Sequence, residues 1–288
     1  MPGAKILVFG HARPWALSYV LEGLKRQDAL ARTQVWLDGH QHLPELMPLV
    51  EKCRQLEATY PAERWMKYGS RNGFVRLFID ALQNHLETSD EDLIILQDDC
   101  FPAPGAIAAF EEGLEKIRND GSFFSIYGHH FNDPSEEGGT PGFQAWGWAT
   151  TAEKLRPVFE EFHRLWRLPE PECVAWVAAH MTEEIRAQMD LYPGRANAYL
   201  IDERFCFDAM IAFLALRAGQ QNLKTQEQVV FNFGMGRNSM HFKQPEPHMF
   251  ESPFNMTAEE DLVDRFELHH LVEPAKSPWA RLRRWMAR

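Results

Sequence analysis

What most constrains this chain is a rhythm of short apolar runs alternating with segments of helical period. Lys5–Gly10 (KILVFG), Gln34–Asp38 (QVWLD) and Leu93–Gln97 (LIILQ) are strand-length and nearly continuous in apolar residues. Such runs suit strands buried on both faces. Between them, Pro14–Arg26 carries Leu17, Val20, Leu21 and Leu24 at helical spacing, with Pro14 in the first turn. Leu46–Leu56 reads as a helix. So does Asn72–Leu86, which sets Phe74, Leu77, Phe78, Ala81 and Leu82 on one face. A helix over Ile107–Ile117 and a strand over Phe123–Tyr127 follow. This alternation predicts an α/β fold, a mostly parallel sheet flanked by helices.

In such sheets ligands bind beyond the carboxyl ends of the strands. Three of those ends carry chemistry: Gly10-His11-Ala12-Arg13, Asp38-Gly39 and Asp98-Asp99. The last is the most demanding. Two adjacent carboxylates at the edge of a core repel each other and lose solvation, which costs free energy unless something positive sits beside them. A plain polar strand end with both carboxylates in water is the competing reading.

Composition narrows the function. At 288 residues with 45% hydrophobic and 25% charged residues, the chain can bury a large core. Its formal charge of −11 argues against a non-specific nucleic-acid partner, which needs a basic face. The cysteines at 53, 100, 173 and 206 form no CxxC pair, so they suit reduced thiols better than a zinc site or disulfide framework. No apolar run approaches the roughly 20 residues that span a bilayer, and the N-terminus lacks the pattern of a secretion signal. A cytoplasmic location is therefore expected.

Beyond residue 130 the rhythm breaks. Asn132–Gly142 is rich in Gly, Pro and acids and reads as a loop. In Phe143–Thr150 (FQAWGWAT) two tryptophans flank Gly147, which suits either a ligand wall or a buried aromatic corner. Helices are expected over Ala152–Leu165 and Val174–Met189. Another opens at Asp202 in IDERF, where a simple N-cap is the alternative role for that carboxylate. Gln228–Phe233 reads as a last strand, followed by GMGRNSMHF and its His241.

Taken together, ILVFGHARP, VWLDG, RNGF, LIILQDDCFPAPG, WGWAT, DERF and NFGMGRNSMH resemble a nucleotide-sugar-dependent glycosyltransferase of the GT-A fold. The likeness is to the bacterial relatives of the N-acetylglucosaminyltransferase I type, over about Lys5 to Phe242. It implies a Rossmann-like sheet with a helical acceptor-side region. Residues 1–130 would form the donor half, 131–245 the acceptor-side half of the same domain, and 246–288 a C-terminal extension.

The resemblance also implies roles. QDDC stands where such enzymes carry an acidic motif, so Asp99 would hold a divalent cation (Mn²⁺ or Mg²⁺) and Asp98 would contact the donor. Gln97 stands where the family often has glutamate. Ala12, Arg13, Asp38, Arg71 and Asn72 match nucleotide- and diphosphate-binding positions. Gly147 and Trp148 would wall the sugar, and His241 would complete the metal site. Asp202, or failing it Glu203, would be the general base of an inverting transfer. The donor would be a nucleoside diphosphate sugar, of UDP type for preference, and the acceptor a glycan or lipid-linked glycan. The alternatives are a non-catalytic domain of the same fold and a metal-dependent phosphohydrolase using the two aspartates.

The tail SPWARLRRWMAR sets Trp279, Leu282 and Met286 on one helical face and Arg281, Arg284 and Arg288 on the other. That pattern suits a peripheral anchor on an anionic membrane surface, at the inner face for a cytoplasmic protein, or a helix docked on the domain.

Overall fold

Seven strands form the main sheet: β1 (Lys5–Gly10), β2 (Thr33–Leu37), β3 (Arg64–Lys67), β4 (Leu93–Gln97), β6 (Phe123–Tyr127), β7 (Trp148–Thr150) and β8 (Gln221–Lys224). Their order is β3-β2-β1-β4-β7-β6-β8. Every pairing is parallel except those of β7, which runs against both β4 and β6. A separate two-stranded ribbon joins β5 (Cys100–Pro102) antiparallel to β9 (Val230–Asn232). The computed structural model describes residues 3–40, 43–70, 72–130, 143–190, 207–236, 244, 246–251 and 254–272.

The continuous apolar runs are explained by burial on both sides. From β1, Ile6 and Val8 enter one core while Leu7 and Phe9 enter the other. From β4, Ile94 and Leu96 join the first, and Leu93 and Ile95 the second. Successive side chains of a strand point to opposite faces, so each run supplies two cores at once. The first core is closed by α1 (Pro14–Lys25), α2 (Met47–Gln55), α4 (Ala106–Asn119) and α9 (Glu259–Arg265). The second is closed by α3 (Phe74–Thr88), α5 (Ala152–Trp166), α6 (Glu170–His180), α7 (Glu183–Asp190) and α8 (Phe207–Arg217).

The expected α/β architecture is the one found, with local differences that have physical causes. The helix expected over Val174–Met189 is broken into α6 and α7. Thr182 Oγ1 accepts the Ile185 backbone N–H at 3.2 Å, and Glu183 and Glu184 occupy the first turn of α7. Both features favour a new helix start. β3 (RWMK) and β8 (QNLK) are the two edges of the sheet and carry polar residues, so no apolar run announces them. The last three residues of the WGWAT stretch are β7, an interior strand of the sheet. The expected strand over Gln228–Phe233 contracts to β9 and lies in the ribbon rather than the main sheet.

Chain order places the site. From β1 the chain steps outward to β2 and β3, then returns to place β4 on the other side of β1. The carboxyl ends of β1 and β4 therefore flank a topological switch point, where open α/β sheets bind ligands. Among the described residues no helix is long and apolar enough to cross a membrane. The basic C-terminal segment 273–288 lies outside them.

β7 enters the sheet through a tight crossing. The Gly128 N–H donates to Gly147 O at 2.9 Å, and Gly147 has φ +82°. A Cβ there would meet both Val230 methyls at 2.8 Å. Left-handed backbone and close approach both demand glycine. Gly147→Ala is expected to lower stability by about 2 kcal/mol or more, measured by urea unfolding. A loss within experimental error would show that the crossing tolerates a side chain.

Candidate active site

The three expected strand ends lie side by side, at β2, β1 and β4. Asp98 and Asp99, just past β4, are both buried, with relative exposures of 3% and 9%. Their charges are met from the end of β1. Arg13, at the N-cap position of α1, donates through Nη1 to Asp99 Oδ2 at 2.8 Å and through Nη2 to Asp98 Oδ1. The His11 backbone N–H donates to Asp98 Oδ2 at 3.2 Å. A planar guanidinium can serve two oxygens at once, which an ammonium cannot do with the same geometry. The neighbour that these carboxylates require is thus supplied by the chain itself.

The electrostatics follow from that contact. Burial pushes the Asp98 carboxyl above its ordinary value. Arg13 pulls it back, and the Asp99 charge adds to the rise. Burial alone would lower Arg13, but the two carboxylates outweigh it and hold the guanidinium above its ordinary value. Burial, reinforced by Asp99, also raises the Cys100 thiol well above normal. It therefore stays protonated and donates to Asp99 Oδ1 at 3.5 Å.

The β5–β9 ribbon fixes Asp99 from the other side. The Phe233 backbone N–H donates to Asp99 O at 3.0 Å, and the loop after β9 then runs against the carboxylate. A Cβ built on Gly234 would collide with Asp99 Oδ2. The first glycine of GMG therefore makes room for the acid, a signal present in NFGMG that the sequence reading did not use.

Other expected positions behave differently. Ala12 is buried beside Arg13 at the β1 end. The Asp38 carboxylate is committed to backbone: it accepts from Gly39 N at 2.9 Å, Asn72 N at 2.7 Å and Gly73 N at 2.9 Å. It anchors the turn leading into α3, whose N-cap is Gly73. Asn72 is held to it through its main chain. Trp148 does not line a pocket. It is 1% exposed and packs in the core, its ring centroid 4.8 Å from Phe143 and 6.2 Å from Phe124. β7 lies between β4 and β6 in a sheet covered on both faces, so an indole on either face of it is buried. Gly147 serves the Val230 crossing described above. The part-exposed indole of the pair is Trp146, edge-on to His129 at 5.2 Å. Gln97 donates to Ala145 O at 3.4 Å. Arg71, Asp202, Glu203 and His241 lie outside the described residues.

Carboxylate oxygens are the donors that Mg²⁺ and Mn²⁺ take. Asp98 and Asp99 fit that chemistry, and Asp99 Oδ1 is engaged only by the weak thiol contact among the described residues. Those residues contain no cluster of three His, Cys, Asp or Glu that could hold a metal. Further ligands would come from phosphate oxygens, water or residues such as His241.

No family model and no curated protein matches the chain. Solved structures resemble it in architecture. One is a Bacillus anthracis protein assigned as a glucose-1-phosphate thymidylyltransferase, in complex with sucrose, at 9% identity and TM-score 0.42 over 94% of this chain and 97% of that one. Another is a mannosyltransferase from Pyrobaculum calidifontis with GDP-Man and Mn²⁺, at 11% identity and TM-score 0.38 over 75% and 86%. A third is the glycosyltransferase GlyE of Streptococcus pneumoniae, at 8% identity and TM-score 0.43 over 95% and 66%. At identities and TM-scores this low, none of them decides an activity for this chain.

Beside the site, His129 is fully buried. It donates through Nε2 to Phe254 O at 2.9 Å, and Nδ1 faces the Asn232 N–H at 3.4 Å. Burial lowers its pKa to about 4 from an ordinary 6.5. His130 is lowered to about 4 as well, by burial and then Lys224. Between those values the unfolded chain takes up protons that the folded chain refuses. Stability is therefore complete above about pH 6.5 and falls as pH drops toward 4, by up to about 3 kcal/mol for His129 alone. Urea unfolding across that window should show the fall, and His129→Gln should reduce its slope, leaving the share of His130. An unchanged slope in the variant would refute the assignment.

Proposed function

We propose that the chain transfers a sugar from a nucleoside diphosphate sugar, of UDP type for preference, to a hydroxyl of a glycan or lipid-linked glycan. The observation that carries this reading is the pair of buried adjacent carboxylates at the switch point, held by a guanidinium from the neighbouring strand end. That arrangement keeps negative oxygen donors and a positive phosphate-binding group together where a dinucleotide-sized ligand enters.

Within this reading, a bound Mg²⁺ or Mn²⁺ supplies Lewis-acid neutralisation of the leaving diphosphate. Asp99, its main chain braced by the Phe233 N–H and its carboxylate cleared by Gly234, would hold that ion. Asp98 orients toward the donor, and His241 is the further ligand proposed from its place after the GMG loop. Asp38 shapes the nucleotide side indirectly, by holding the Asn72 and Gly73 main chain ahead of α3, and Arg71 is a diphosphate contact proposed from its place in the sequence. Burial of the carboxylate pair excludes water from the point where charge develops, which strengthens each of these interactions. Asp202 takes the proton from the attacking hydroxyl in an inverting displacement, with Glu203 as the adjacent candidate.

Calorimetry with a panel of UDP- and GDP-sugars, in Mn²⁺ and in chelator, tests the donor assignment. Asp99→Ala is expected to weaken Mn²⁺-dependent donor binding at least about tenfold while the variant stays folded by circular dichroism. Wild-type affinity and metal dependence in that variant would overturn the site. Binding without hydrolysis or transfer would identify a non-catalytic domain, and acceptor-independent phosphate release a phosphohydrolase.

Asp202→Asn is expected to slow transfer by about 10²–10⁴-fold with donor affinity nearly preserved. Asparagine remains a good N-cap, so a purely structural role predicts little change. Wild-type turnover would reject Asp202 as the base.

A further inference from the structure

Arg13 stands where a cation would stand. It engages one oxygen of each carboxylate, and His11 N–H takes the second oxygen of Asp98. Only Asp99 Oδ1, with its thiol contact at 3.5 Å, is lightly held. A divalent ion approaches carboxylate oxygen to about 2.0–2.6 Å. At that range it meets the guanidinium as a like charge in a poorly solvated place, where repulsion is weakly screened. Two positive groups cannot share this pair at full strength.

We propose that Arg13 is a built-in counter-ion that a divalent cation must displace, and that the displaced guanidinium then binds the donor's diphosphate. This inference rests on the reading of the site as one for a nucleoside diphosphate sugar with a cation. The geometry supports the exchange. Arg13 is the residue immediately before α1, its side chain is 19% exposed, and its backbone is fixed by the Leu17 N–H bond to Arg13 O at 3.0 Å. A side chain anchored at its base but open at one face can swing without disturbing the helix. The N-terminus of α1 lies at the same place and favours anions. The N1 position is Pro14, which has no N–H to offer, and the long arm of Arg13 is a group on that turn able to reach a phosphate.

The exchange makes cation and nucleotide binding mutually dependent. Cation alone must evict Arg13 with nothing to receive it. Nucleotide alone meets a guanidinium already committed to Asp98 and Asp99. Together each removes the other's cost, which is positive coupling. In the wild-type protein Mn²⁺ alone is expected to bind weakly, and UDP to tighten it by a factor within the usual range of about 5–150-fold.

Mn²⁺ binding followed by the loss of its free electron paramagnetic resonance signal, with and without UDP or GDP, tests this in the full chain. Arg13→Gln should bind Mn²⁺ alone at least about tenfold more tightly than wild type, and its coupling to nucleotide should shrink toward unity. Mn²⁺ affinity in Arg13→Gln no tighter than wild type, with nucleotide binding still Mn²⁺-dependent, would overturn the counter-ion while leaving the donor reading intact. Absence of Mn²⁺ binding in both proteins, with or without nucleotide, would overturn the two together. Should Arg13→Gln not fold, the wild-type guanidinium resonances, assigned through the charge-retaining Arg13→Lys, are followed by nuclear magnetic resonance as Mg²⁺ and UDP are added. They should move only when both are present. Resonances that stay unmoved with both ligands bound would show that Arg13 never leaves the carboxylates.

Discussion

Everything at the carboxyl edge of the sheet depends on one guanidinium shared between two carboxylates. Asp98 and Asp99 are adjacent in the chain and buried at the end of a central strand, a placement that burial and mutual repulsion both oppose. Arg13 offsets this from the end of the neighbouring strand, so β1 and β4 are joined by charge as well as by their parallel ladder. Such a contact adds little net stability against apolar residues of the same size. Removing Arg13, however, leaves two buried carboxylates uncompensated, at a cost of about 3–5 kcal/mol. One positive charge against two negative ones also leaves the cluster short of neutral. That deficit is a reason for a cation to come there, and Arg13 is what a cation would have to contend with.

The supporting shell is built around the same point. The β5–β9 ribbon holds the Asp99 main chain, Gly234 clears the space its carboxylate fills, and the protonated Cys100 thiol lies against its second oxygen. Asp38 performs the matching task one strand away, where its carboxylate closes the turn before α3. The buried His129 ties the segment at Phe254 to the ribbon's neighbourhood, and burial favours its neutral ring. Carboxylates held by backbone and ribbon are preorganised in position, so only the Arg13 side chain has to move when ligand arrives.

The central strands and helices were legible because burial on two faces writes long apolar runs and 3.6-residue periods into the sequence. The carboxyl edge of the sheet, where the candidate site lies, was legible for the same reason, since the runs of β1, β2 and β4 stop at His11–Arg13, Asp38 and Asp98–Asp99. Edge strands β3 and β8 were not, because half-exposed polar strands carry no such run. At the site, the question raised by Asp98-Asp99 was visible in the sequence, but its answer lies 85 positions away in Arg13. No local pattern links residues that meet only through a parallel crossover. Trp148 was misplaced because an aromatic beside a glycine looks alike in a ligand wall and in a core strand. Only the place of β7 between β4 and β6, in a sheet covered on both faces, makes it core.

The central claim is that a nucleoside diphosphate and its cation bind at the carboxyl ends of β1, β2 and β4. A crystal structure of the full chain soaked with UDP and Mn²⁺ tests it most directly. The account predicts the diphosphate beside Arg13 and the turn after Asp38, with an anomalous manganese peak at Asp99. Nucleotide bound at another edge of the sheet, or manganese bound away from Asp98 and Asp99, would contradict it.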